Sequence, residues 1–93
     1  MEQTLCPIDV ISICSADGQI RPLRFRMEDE SRQLIRVDVE EVVSTRQIQY
    51  VGIESYTFLC RASADGRSLL VELKYYIRTH TWCLVSRYNC VKL

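Results

Sequence analysis

The sequence predicts an all-β domain: a small antiparallel meander curled into a barrel or half-open roll of SH3-like size. Three observations predict it. Apolar side chains recur with a period of two, and β-branched and aromatic residues fill the repeating positions. Asp-Gly, the favoured centre of a two-residue type I′ turn, stands between apolar runs in both Ser15-Ala16-Asp17-Gly18 and Ser63-Ala64-Asp65-Gly66. The chain has 93 residues, 47% apolar and 26% charged, which is enough for one thin core and too short for two domains. Residues 1–93 are therefore read as one domain, with its core over about 8–88 and short flexible termini.

The first hairpin turns at Asp17-Gly18. A two-residue loop there sets Val10 opposite Phe25 and Ile8 opposite Met27, with Asp9 facing Arg26 on the other side. It also sets Pro22 opposite Ile13, where the missing N–H is tolerated only on an edge or at a bulge. Glu28 to Gln33, nearly all polar, reads as a loop. In the next segment Ile35, Val37 and Val39 are apolar at odd positions, whereas from Ile48 and Tyr50 the apolar positions are even. One extra residue near Glu40 to Val43 explains the slip as a β-bulge, and a short helical turn near residues 39–45 is the alternative.

The second hairpin, turning at Asp65-Gly66, sets Ala62 opposite Leu69, Cys60 opposite Val71, Phe58 opposite Leu73 and Tyr56 opposite Tyr75. Thr57 and Leu59 face Lys74 and Glu72 on the other side, so this register buries one continuous apolar stripe. A last hairpin through Arg78-Thr79-His80-Thr81 places Ile77 opposite Trp82, Tyr75 opposite Leu84 and Glu72 opposite Arg87. The tail from Asn89 to Leu93 is expected to fray.

The composition also narrows function. Charged residues interrupt every hydrophobic run well before the roughly 18 apolar residues of a membrane-crossing helix, so no membrane partner is expected. Met1 to Pro7 lacks a basic region followed by an apolar one, so no secretory signal is read there and the cytoplasm is the expected compartment. The five cysteines, Cys6, Cys14, Cys60, Cys83 and Cys90, are odd in number and include no Cys-x-x-Cys pair. They are read as free thiols behaving as small hydrophobes.

His80 is the only histidine, which removes a two-histidine metal site, and Glu28-Asp29-Glu30 lacks the alternating oxygens and turn glycine of a calcium loop. No catalytic, cofactor or metal residue is assigned. A small hydrolase or a thiol enzyme, the latter using Cys60 or Cys83 with His80, is the third-ranked reading, because a core-facing Cys60 is a poor nucleophile.

The surface that suggests binding is basic and aromatic: Arg24, Arg26 and Arg36, on the side of the sheet opposite Leu23, Phe25 and Val37, together with Tyr76, Arg78 and His80 near the last turn. Small barrels hold single-stranded nucleic acid in this way, with bases stacked on aromatics and cations along the phosphates. The net charge is zero, however, and it divides into −3 over residues 1–46 and +3 over residues 47–93. Halves of opposite sign pair within a fold or between two copies of it. Ile11, Ile13, Leu59, Leu70 and Val85 are apolar at outward positions, which also favours a homodimer.

Pro22-Leu23-Arg24-Phe25-Arg26 and Tyr75-Tyr76-Ile77-Arg78-Thr79-His80-Thr81-Trp82 carry a resemblance to an uncharacterised group of small bacterial all-β domains, over most of Ile8 to Tyr88. The resemblance implies a short cytoplasmic domain of unknown function and carries over no site residue. The expected function is a non-enzymatic interaction domain, self-associating or binding a protein partner, with a single-stranded nucleic-acid-binding barrel as the alternative.

Overall fold

The structure, a computed structural model, describes residues 5–89. Its seven antiparallel strands are β1 (Cys6–Ile8), β2 (Val10–Cys14), β3 (Ile20–Glu28), β4 (Leu34–Tyr50), β5 (Ile53–Ala64), β6 (Arg67–Tyr76) and β7 (Thr81–Asn89). They form one sheet in the order β1-β7-β6-β5-β4-β3-β2. Because β1 and β2 are separated only by Asp9, a single stretch of chain pairs with β7 at one end of the sheet and with β3 at the other. That shared stretch forces the sheet to curl, as expected of a small sheet that must cover its apolar face. No helix occurs among the described residues. The fraying expected for 90–93 falls outside them, while Asn89 ends β7.

The β5–β6 hairpin follows the sequence register throughout, from Ser55 opposite Tyr76 to Ala64 opposite Arg67. Asp65 and Gly66 both take positive φ, 52° and 74°, as the type I′ turn requires. The stripe this register creates is the core: Phe58, Cys60, Ala62, Leu69, Val71, Leu73 and Tyr75 are all buried. Phe25 and Met27 of β3, Val37 of β4 and Trp82 of β7 complete it. Trp82 lies 5.4 Å from Phe58 and 4.8 Å from Tyr75, ring centre to ring centre, within the range of favourable tilted aromatic pairs.

The repeated Ser-Ala-Asp-Gly does not repeat the turn. Ser15 pairs with Gln19, the Ser15 N–H donating to the Gln19 carbonyl at 2.8 Å, so the loop holds three residues with Gly18 alone at positive φ. The cause is local: the Asp17 carboxylate accepts from the Ser15 hydroxyl and the Gln19 N–H, contacts that hold its pKa below the usual carboxylate range. The longer loop moves the register, so Pro22 faces Ser12 rather than Ile13, and Leu23 becomes the extra residue of a bulge. Leu23 is therefore exposed instead of lining the core beside Phe25. Val10 does face Phe25, and Arg26 reaches Asp9 at 2.8 Å, but Ile8 pairs with Trp82 rather than with Met27.

Two other registers are corrected. In the β6–β7 hairpin Tyr76 pairs with Thr81, so the loop is Ile77 to His80, with Tyr75 opposite Trp82 and Leu73 opposite Leu84. Beyond a bulge Glu72 meets Ser86 and Val71 meets Arg87. Arg87 thus occupies an inward register position at the rim, where its guanidinium donates to the Glu28 carbonyl at 2.9 Å and joins β7 to β3 below the reach of β1.

In β4 a continuous strand replaces the helical turn, and it carries two bulges, at Glu40 and at Val43. Val39 and Val42 are three residues apart, and both pack against the core because Glu40 is looped out between them. The second bulge restores the odd phase. Thr45 and Gln47 therefore take the positions opposite Phe58 and Tyr56, and Ile48 and Tyr50 lie on the outer side opposite Ser55 and Ile53.

Candidate functional site

The six residues read as a binding surface fall into two groups. Arg24, Arg26 and Arg36 share the outer face of β3 and β4, with Arg26 directly across from Arg36. Like charges so placed repel, and two carboxylates offset them. Arg24 and Arg36 contact Asp38 at 2.7 and 3.4 Å, and Arg26 contacts Asp9 at 2.8 Å. A shallow cavity of about 340 Å³ lies among Asp9, Ile11, Phe25 and these arginines.

The second group sits at the end of β6 and in the following loop, with β4 and β5 between it and β3 in the sheet. The Lys74 ammonium lies 5.3 Å from the centre of the Tyr76 ring, Arg78 is exposed, and His80 Nδ1 is hydrogen-bonded to the Tyr75 hydroxyl at 2.8 Å. The structure does not merge the two groups into one track.

The thiols are placed for packing more than for chemistry. Cys60 is enclosed by the core, and burial pushes its pKa up to about 12. Burial also raises Cys83, helped by nearby Cys6 and opposed by Lys74 across the strand pair. Among the described residues His80 hydrogen-bonds through its side chain to Tyr75, not to a thiol.

A different feature stands out in β4. Its pairing with β3 stops at Asp38, while its pairing with β5 continues to Tyr50. From Val39 to Tyr50 the second edge of β4 has no partner strand among the described residues. Open edges offer rows of N–H and C=O groups to any extended chain, and proteins usually blunt them with bulges and charges. Here the bulges at Glu40 and Val43 bend the lower part, which still has no partner strand on this side among the described residues. From Ser44 to Tyr50 the strand is regular, and Arg46 is its only charge.

The polarity of this stretch is inverted. Thr45 and Gln47 take the inner register yet are exposed, whereas Val43 and Tyr50 are exposed on the outer side and Ile48 is half-buried there. The edge leads into an apolar tip, with Tyr50 74% exposed, Val51 82% and Ile53 53%. The tip is a second two-residue turn with positive φ at Val51 (50°) and Gly52 (79°). A β-branched residue in the left-handed region is strained by about 1–2 kcal/mol.

Replacing Val51 with asparagine, which tolerates that conformation, should raise folding stability by about 1 kcal/mol, seen as a higher urea midpoint. An unchanged or lower midpoint would mean that Val51 is not strained. The sequence carries one signal for this turn, the dipeptide Val51-Gly52 between apolar runs. Val-Gly is a weaker cue than Asp-Gly, and an open edge leaves no cue at all.

No family model, curated protein or solved structure matches the chain.

Proposed function

We propose that this chain is a non-enzymatic protein-interaction domain whose docking element is the open edge of β4 together with the tip at Tyr50 to Ile53. One observation carries the reading: among the described residues β4 has a pairing partner on one side only over Val39 to Tyr50, and it turns Val43 and Tyr50 outward, with Ile48 half-buried on the same side. Strand addition at such an edge supplies affinity through main-chain hydrogen bonds and selectivity through alternate side chains. The four described cysteines are free thiols, which supports a reducing compartment such as the cytoplasm.

The nucleic-acid reading is weaker because Arg24, Arg26 and Arg36 are already engaged by Asp9 and Asp38. Amide spectra of the labelled chain separate the two. Extended peptides of alternating threonine and lysine, or threonine and glutamate, should shift amides between Val39 and Ile53, and a short oligo(dT) should leave the chain unmoved. Salt-sensitive shifts with oligo(dT) around Arg24, Arg26, Arg36, Tyr76, Arg78 and His80, with none from the peptides, would reverse the assignment.

A further inference from the structure

We infer that the open edge of β4 pairs antiparallel with the same edge of a second copy, across a two-fold axis at Val43 and Ser44, with Glu40 of each copy set against Arg46 of the other. The inference rests on the edge being a docking element, and it names the partner.

The register follows from the bulges. On the outer face, β5 steps from Arg61 to Leu59 to Thr57, and β4 answers each step. Glu40 and Glu41 together stand opposite Arg61, Val43 and Ser44 opposite Leu59, and Arg46 opposite Thr57. The two bulges thus space the acidic level, the apolar level and the basic level evenly along one face. A two-fold axis through the middle level lays each acidic level on the other copy's basic level, and Val43 on Val43.

The charges are available for this. Glu41 is occupied by Arg61, whereas Glu40 and Arg46 are exposed and make no ion pair among the described residues. The pairing window has a natural limit, since it begins at Val39, the first residue beyond those that β3 engages. A two-fold interface is self-complementary by construction, and opposite charges placed symmetrically about its axis satisfy that requirement twice. Opposite charges directly across a strand pair attract, while like charges there repel.

The test uses the full chain in sedimentation equilibrium from micromolar to millimolar concentration. The unaltered chain should pass from the monomer mass to twice that value as concentration rises. Arg46→Glu and Glu40→Arg should each weaken the dimer by about tenfold or more, because each puts like charges across both contacts. A one-to-one mixture of the two variants should dimerise again, since the mixed pair restores both opposite-charge contacts. Both sites are exposed, so thermal unfolding of each variant at low concentration should match the parent and show that the fold is intact.

A dimer that ignores both substitutions, or variants that fail to rescue each other, would overturn the pairing. A chain that stays monomeric while its β4 amides still respond to added peptides removes the second copy as partner and leaves the interaction reading standing. Silence in both experiments removes both.

Discussion

Phe58→Ala should cost about 3–5 kcal/mol of folding stability, the range for removing a buried aromatic ring. Phe58 is 1% exposed and tilts against Trp82 and Tyr56 at the centre of the curled sheet. Neighbouring strands are tied into ladders on both sides of β5, so they cannot collapse into the space the ring leaves. A domain of this size is typically stable by about 5–15 kcal/mol, so the variant should sit close to its unfolding threshold at room temperature. Urea denaturation measures it: the midpoint should fall steeply with little change in slope. Ile11→Ala, on the exposed face of β2, should stay within about 0.5 kcal/mol of the parent. A small loss in Phe58→Ala with a large one in Ile11→Ala would mean that the inner and outer faces have been exchanged.

The thiols should divide just as sharply. Cys6 and Cys14 are exposed, and a maleimide or disulfide reagent should label both quickly at neutral pH. Cys60 is sealed in the core, and burial raises its pKa to about 12, so it reacts only when the domain opens. With a stability of about 5.5 kcal/mol or more, opening alone slows labelling by about four orders of magnitude. Timed labelling followed by peptide mass mapping reads the ratio directly, and a Cys60 that labels as fast as Cys14 would place it outside the core. The same burial sets a pH dependence. The folded state holds the Cys60 thiol protonated above its ordinary value near 9.0, so this contribution to stability is intact below pH 9 and is lost as pH rises towards 12. Cys60→Ala should remove that alkaline dependence.

Much of the architecture was legible in residues 56–75. There Asp65-Gly66 fixes a turn type, the turn type fixes the register, and the period-two pattern confirms it by burying one face. The identical tetrapeptide at residues 15–18 misleads because the turn depends on what its side chains bind. Asp17 is occupied by Ser15 and Gln19 and builds a three-residue loop, whereas Asp65 itself takes the left-handed conformation. Bulges are harder to read, since an inserted residue shifts the phase without any residue type to announce it. Two bulges in β4 shift it twice, which is why Ile48 and Tyr50, apolar at even positions, lie outside rather than inside.

The arginine surface was legible as a cluster, and part of its neutralisation was legible with it. Asp9 faces Arg26 in the first hairpin register, while the contacts of Asp38 with Arg24 and Arg36 depend on how β3 meets β4. The open edge was invisible for a simpler reason. A free edge is set by where the neighbouring strand stops, and β3 pairing ends at Asp38, next to the bulges at Leu23 and Glu40, which no residue type announces.

Amide hydrogen exchange resolved along β4, at a concentration low enough to keep copies apart, tests the open edge most directly. Amides of β5 and β6, and those of β4 that point towards β5, should be slow, while the β4 amides beyond Asp38 that point away from β5 should exchange quickly. Protection of both sets alike, over Val39 to Tyr50, would show that another part of the chain already covers the edge and would contradict the docking role assigned to it.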